Sequence, residues 1–205
     1  MSNGLREIHK KIIVEKAVRL FIEKWINNVT MTDIAKDIGV GEATLYRYFG
    51  RKQNIVLLGA VSLWDSLCHE YLSDSEGMNG YDKMESFYFA FLKAFQEKKD
   101  YFGFIYEFDN LLIEDKIDKD LLVEYDKILS TLEEVWVDIY TQGVSDKTIY
   151  YVPDPKLFYV ATTQSLLNLC KKLARESTSL AADNSVNPEK EIELMIKIIT
   201  SYFKR

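Results

Sequence analysis

The sequence predicts an all-α protein of about nine helices, and three observations carry that prediction. Glycine (9) and proline (3) are scarce in 205 residues, which leaves little turn chemistry for a many-stranded fold. Leu, Ile, Glu and Lys dominate, and of these Leu, Glu and Lys lose little side-chain freedom in a helix. Apolar residues also recur at helical spacing, beginning with Ile13, Ala17, Leu20 and Phe21, while Lys10, Lys11, Lys16, Arg19 and Lys24 fall largely off that stripe. An apolar content of 47% is enough to bury a substantial core.

The elements follow in order. LREIHKKIIVEKAVRLFIEKW is an amphipathic helix of about five turns, which Asn27 or Asn28 can end because asparagine tolerates the left-handed conformation. Thr30, with Asp33 three positions on, resembles a capping box and opens a second helix through Ile34, Ala35 and Ile38. Gly39 permits a sharp reversal, and a third helix runs from Gly41 or Glu42 to Phe49 with Gly50 as its stop. KQNIVLLGAVSLWDSLCHEYL is a long fourth helix and SDSEGMNG a loop. Helices are then expected over residues 81–98, 101–113 and 118–142. VPDP introduces another over 155–176, STSLAADNSVN is a loop, and Pro188 opens the last helix.

The net charge of −6 conceals a division along the chain. Residues 1–55 hold 10 Lys+Arg against 6 Asp+Glu, whereas residues 56–205 hold 16 against 26, a basic head on an acidic body. Such a head can meet phosphates while the body repels them, favouring one docking orientation. Cys68 and Cys170 stand too far apart in sequence for a disulfide framework and read as buried thiols. No apolar run reaches the roughly 18 residues a membrane helix needs, so a cytoplasmic protein with no membrane partner is expected.

GEATLYRYFGRK, residues 41–52, carries no nucleophile, paired acid or metal ligand. A phosphate-binding reading of Gly39, Gly41 and Thr44 fails on context, because a helical pattern precedes it and Thr44 stands where a dinucleotide fingerprint has its third glycine. At about 100° per residue, Leu45 and Phe49 share one face with Val40, while Ala43 and Arg47 lie opposite, flanked by Thr44 and Tyr46. Two helices joined by a tight glycine turn, the second short and polar outside, form a helix-turn-helix. The spacing leaves an ordinary three-helix core with a solvated outer face as the alternative.

The run KAVRLF…VTMTDIAKDIGVGEATLYRYFGRKQNI closely resembles the N-terminal domain of the TetR family of bacterial transcriptional regulators. The resemblance rests on Leu20 and Phe21, Thr30, Asp33 to Ala35, Gly39 and Val40, Thr44 to Tyr46, Tyr48 and Phe49, and Lys52. It implies a helix-turn-helix DNA-binding domain over residues 1–52 and a ligand-binding and dimerisation domain over 53–205, in a homodimer that binds a palindromic double-stranded DNA operator. Thr32, Tyr46 and Lys52 are the expected phosphate contacts, and Ala43, Thr44, Arg47 and Tyr48 the expected readers of bases. Arg47 is the chief candidate, since an outward guanidinium can grip a guanine edge bidentately. The chain departs from the family at Trp25, where glycine is usual, and at Gly41, where serine is common.

Residues 81–108 contain 11 of the 27 aromatics, which either fill a core or line a mostly apolar cavity for a small, largely apolar or aromatic effector. The expected lining is Trp64, Cys68, Tyr71, Phe91, Phe95, Tyr106, Gln164 and Asn168, while Glu107 and Asp109 read as surface residues. The resemblance places the dimer interface on the last two helices, at Leu166, Leu169, Leu173, Ile192, Met195, Ile196 and Ile199. No metal or cofactor is expected, and two histidines offer little for catalysis. Three functions stay open: a ligand-responsive repressor, a ligand-insensitive DNA-binding protein, and a helical small-molecule-binding or catalytic protein whose head does not bind DNA.

Overall fold

The computed structural model of the chain describes residues 3–71, 77–113, 119–175 and 185–204, apart from the side chains of residues 3, 69–71, 113, 120 and 121. Among them are eight α-helices and one 3-10 turn. They are α1 (Asn3–Lys24), the turn Ile26–Asn28, α2 (Met31–Ile38), α3 (Glu42–Phe49), α4 (Lys52–Tyr71), α5 (Gly80–Ile113), α6 (Lys119–Ser145), α7 (Pro155–Ala174) and α8 (Pro188–Ser201). Residues 73–76 of the expected SDSEGMNG loop and 177–184 of the expected STSLAADNSVN loop lie outside the described residues. The helices expected over 81–98 and 101–113 meet end to end at a kink at Lys98, whose φ of −139° and ψ of 42° are not helical; the label α5 covers both. EKKDYF offers neither proline nor glycine to stop a helix, so the chain bends and continues.

The chain folds as two compact units, Met1–Trp64 with Gly103–Ile128, and Asp65–Phe102 with Leu129–Arg205. In the first, the α1 stripe meets the inner faces of α2, α3 and α4. Ile13, Ala17, Ile34, Leu45 and Ile55 are wholly inaccessible to solvent. From α5, Phe104 stacks on Phe21 at 6.2 Å between centroids. Gly59 of α4 faces the same ring, where an added Cβ would meet Val18 at 2.5 Å and Phe104 at 3.3 Å.

The junction after α1 departs from expectation. Neither Asn27 nor Asn28 reverses the chain; Trp25 does, at φ 70° and ψ 141°. A side chain with a Cβ is strained there by about 1–3 kcal/mol and persists only where its surroundings over-determine it. Burial of the next residue, Ile26, is part of that determination. The expected Thr30–Asp33 capping box is present: the Asp33 backbone N–H donates to Thr30 Oγ1 at 3.1 Å, and the Thr30 N–H to Asp33 Oδ2 at 2.9 Å.

The second unit is organised round Trp136, which is fully buried. Its indole N–H donates to the Tyr88 hydroxyl at 3.1 Å, and that hydroxyl shares a 2.7 Å hydrogen bond with Thr162. Tyr140, Tyr159, Phe158 and Phe203 surround the indole with ring centroids 5.3 to 6.4 Å away. Helices α5 and α6 approach backbone to backbone where Gly80 meets Gly143, and a Cβ on Gly80 would lie 2.1 Å from the Gly143 Cα. Beside that contact the Asp146 carboxylate accepts from the Gly80 N–H at 2.8 Å and from Thr148.

Candidate nucleic-acid interface

The outward surface of α3 is built by what its inward surface buries. Leu45 and Phe49 are the buried residues of this eight-residue helix, and their spacing of four fixes its rotation on the core. Gly39 takes the left-handed conformation (φ 79°, ψ 32°) that turns α2 into α3. Gly50 ends α3 at φ 72°, its N–H donating to the Tyr46 carbonyl. Glu42, Ala43, Tyr46 and Arg47 are therefore exposed, with Thr44 and Tyr48 half-buried at the edges. Thr32 is exposed on the first turn of α2. Gly41 gives α3 no side-chain cap, and the Thr44 N–H turns back to the Gly41 carbonyl at 2.9 Å, so the first turn is closed by backbone alone.

Tyr48 joins this surface to α1. The Arg47 guanidinium lies 5.5 Å from the centroid of its ring and the Arg6 guanidinium 5.4 Å, while the His9 ring meets it edge-on at 5.7 Å. Both cations are within the range of a cation–π contact. Tyr48 thereby gathers two guanidiniums at one edge of the helix-turn-helix. Arg6 and His9 had no signal in sequence linking them to residue 48.

Lys52 is the interface residue whose expected role the structure corrects. Its ammonium donates to the carbonyls of Ile26 at 2.6 Å and Val29 at 2.7 Å, so it is turned inward on the 3-10 turn rather than outward to phosphate. Glu107, expected at the surface, is also engaged there: its carboxylate accepts the Ile26 N–H at 2.6 Å across 81 residues of sequence. Asp33 has its carboxyl held below the usual aspartate range, first by the hydrogen bond from the Thr30 hydroxyl and then by the Thr30 backbone N–H.

The expected effector residues divide between the two units. Trp64 is buried in the first unit, its indole N–H donating to the Tyr125 hydroxyl at 3.0 Å. Tyr106, in the same unit, is 37% exposed. In the second unit Phe91 and Phe95 are buried, with Phe91 against Phe87 and Phe95 against Phe102. Cys68 is half-buried, and the side chain of Tyr71 lies outside the described residues. Gln164 and Asn168 are corrected: both are exposed, because the inward stripe of α7 is Tyr159, Thr163, Leu166 and Cys170, one residue out of step. Burial pushes the Cys170 thiol up to about 12; burial and then the charge of Asp65 push Cys68 up to about 11. Neither is an activated nucleophile at neutral pH.

The expected dimer face needs the same kind of correction. Leu166, Ile192 and Ile196 are wholly inaccessible within the single chain and Ile199 nearly so, hence a partner subunit cannot touch them. Leu169, Leu173 and Met195 are half-buried. The apolar side chains left outside are Leu194, Ile198 and Tyr202 on and after α8, with Leu157 on α7, each more than half exposed. Helices α7 and α8 pack together, with Phe158 between Tyr202 and Phe203. Among the described residues, no helix is long and apolar enough to cross a membrane.

A family model described as "Bacterial regulatory proteins, tetR family" matches residues 13–58. Over 54 residues the chain is 39% identical to the HTH-type transcriptional regulator BetI of Agrobacterium fabrum, 26% of each chain. Over 90 residues it is 29% identical to the biofilm operon icaADBC HTH-type negative transcriptional regulator IcaR of Staphylococcus aureus strain Newman, 43% of this chain and 48% of that one. These alignments therefore span about a quarter and about half of the two curated relatives. A crystal structure of the transcriptional regulator FadR from Bacillus subtilis in complex with stearoyl-CoA shares the fold, with a TM-score of 0.65, 17% identity, and 93% of this chain and 97% of that chain covered.

Proposed function

We propose that this chain, which belongs to the TetR family of bacterial regulatory proteins, is a DNA-binding transcriptional repressor released from a palindromic operator by a small, largely apolar effector. The observation that carries the reading is the surface of α3. A short helix anchored by Leu45 and Phe49 presents Ala43 and Arg47 outward, with a slim first turn that lets the backbone approach a groove. Arg47 reads a base edge, helped by Ala43, Thr44 and the rim of Tyr48. Tyr46, Thr32 and Arg6 fix the register on phosphates.

Residues 1–52 act as the DNA-binding part and 53–205 as the sensing and pairing part. The exposed stripe of Leu157, Leu194, Ile198 and Tyr202 supports a homodimer through α7 and α8, so that two heads meet a two-fold symmetric site roughly 34–36 Å apart. The aromatic composition of the body, and the stearoyl-CoA held by the Bacillus subtilis FadR, support an effector with a long apolar part. The protein works in the cytoplasm and performs no catalysis. One observation favours a ligand-insensitive regulator instead: Phe87 packs against both Tyr88 and Phe91, and the Trp136 cluster is filled by its own rings.

Anisotropy titrations on the DNA upstream of its own gene, across a range of salt, test the reading. Binding should weaken steeply with salt, and Arg47→Ala should lose preference for that DNA over a scrambled duplex. Salt-independent binding, or none, removes the DNA reading. If binding is specific but acyl-CoA and free fatty acids fail to release it, the ligand-insensitive reading takes its place.

A further inference from the structure

We infer that Glu107 is a positioning residue for DNA binding, holding the helix-turn-helix in register from α5 through the peptide of Ile26 and the ammonium of Lys52. The inference rests on the DNA-binding reading above.

Three charged hydrogen bonds converge on one turn. Glu107 Oε2 accepts the Ile26 N–H at 2.6 Å, and Lys52 Nζ donates to the Ile26 and Val29 carbonyls at 2.6 and 2.7 Å. The place of these residues gives the clasp its meaning. Val29 immediately precedes Thr30, the cap of α2, and Lys52 opens α4 three residues after α3 ends. The clasp therefore grips the helix-turn-helix at its beginning and its end together. Glu107 is the one member of the clasp that comes from far along the chain.

The turn so held is under strain. Trp25, directly before Ile26, keeps a positive φ of 70° without being glycine, and relaxes if its neighbour's N–H is released. Apolar packing of Phe104 on Phe21 tolerates small slides of α5, but a carboxylate–amide hydrogen bond does not: it is lost over less than an ångström and beyond modest angles. Glu107 lies three residues after Phe104, one turn further along α5. A shift of α5 is thus read at this carboxylate first, and passes through residue Ile26, whose N–H and carbonyl lie in adjacent peptides, to Lys52 and so to the α2 cap and the end of α3. This route runs through α5 and is additional to the direct covalent link that α4 provides.

The experiment compares wild type, Glu107→Gln and Glu107→Ala, all full-length, at a temperature well below each midpoint of unfolding. Two readouts are taken: anisotropy titration on the DNA upstream of the gene, and amide hydrogen exchange of the segment containing residues 22–34 in the protein alone. The inference expects Glu107→Ala to weaken binding about tenfold or more with the salt slope unchanged, and to speed exchange in that segment while α8 peptides stay as they were. Glu107→Gln keeps the acceptor and should recover most of both. If wild type binds and Glu107→Ala binds within about twofold of it, or exchange in 22–34 does not move, the inference is overturned. If Glu107→Ala fails to fold, Glu107→Gln and Glu107→Asp decide: equal affinity and exchange in both, despite the shorter Asp, overturn it. Loss of salt-dependent binding in wild type itself removes the DNA reading, a result visible before any variant is compared.

Discussion

The side-chain amide of Asn54 donates to the Phe49 carbonyl at 2.7 Å, so the first turn of α4 closes the last turn of α3. Asn54 is buried, and the helix-end carbonyl it serves, which also accepts the Arg51 N–H at 2.8 Å, has no partner within its own helix. Asn54→Ala should lower the free energy of unfolding by about 1–2 kcal/mol in urea titrations. It should also weaken DNA binding, because the end of α3 that carries Tyr48 is released. A variant with wild-type stability would show that the Gly50 and Arg51 N–H groups secure the helix end without Asn54.

Lys52 and Arg47 should separate stability from recognition. Lys52→Ala leaves the carbonyls of Ile26 and Val29 without a charged donor, and is expected to cost about 1.5–3 kcal/mol of stability. Arg47→Ala removes an exposed side chain and should leave stability within about 0.5 kcal/mol while abolishing sequence preference. Thermal unfolding and DNA titration of both variants check the contrast. An unchanged melting temperature for Lys52→Ala would restore it to the phosphate surface.

The capping box sets an acid dependence of definite sign. The folded Asp33 carboxyl is held below the usual aspartate value by the Thr30 hydroxyl and then its N–H, so its contribution is fully present above about pH 4. It is lost as the pH falls through the lowered value. The stability gap between wild type and Asp33→Asn should therefore be constant from neutral pH to about pH 4.5 and narrow below pH 4. A gap that widened on acidification would contradict the capping geometry.

Gly80→Ala puts a methyl group 2.1 Å from the Gly143 Cα, and backbone cannot yield as a flexible side chain does. The crossing of α5 and α6 must open, at an expected cost of about 1–3 kcal/mol. Denaturant titration reads the loss directly, and Gly103→Ala, where an added Cβ meets nothing within 4 Å, is the control.

Two isoleucines two residues apart should behave oppositely. Ile196 is wholly buried within the single chain, whereas Ile198 is 57% exposed. Ile196→Ala is expected to destabilise each subunit by about 2–5 kcal/mol. Ile198→Glu should leave the subunit folded and shift sedimentation from dimer to monomer. A dimer that survives Ile198→Glu and Leu194→Glu together would move the partner surface elsewhere.

Much of the fold was legible because helices announce themselves locally. The stripe of α1, the Thr30–Asp33 box, the Gly39 reversal and the Leu45–Phe49 anchor each depend on residues within about a turn or two of one another, and all stand in the structure. The phases of α7 and α8 were harder to read, since each carries apolar residues on more than one face. Leu166, Ile192 and Ile196 went inward, Leu194 and Ile198 outward, and periodicity alone does not rank two stripes. The junction after α1 was not legible. Trp25 in a positive-φ conformation contradicts its own local preference.

What the sequence determined by itself, then, was everything that near neighbours decide: helix after helix, their caps, and the outward face of α3. Only the tertiary structure decided that Lys52 turns inward, that Glu107 reaches Ile26 across 81 residues, and which side of α8 faces water. The physical reason is range. Backbone propensity and side-chain periodicity act over a few residues, whereas the partner of a half-buried charge such as Lys52 or Glu107 is chosen by packing, which is settled only once distant helices meet.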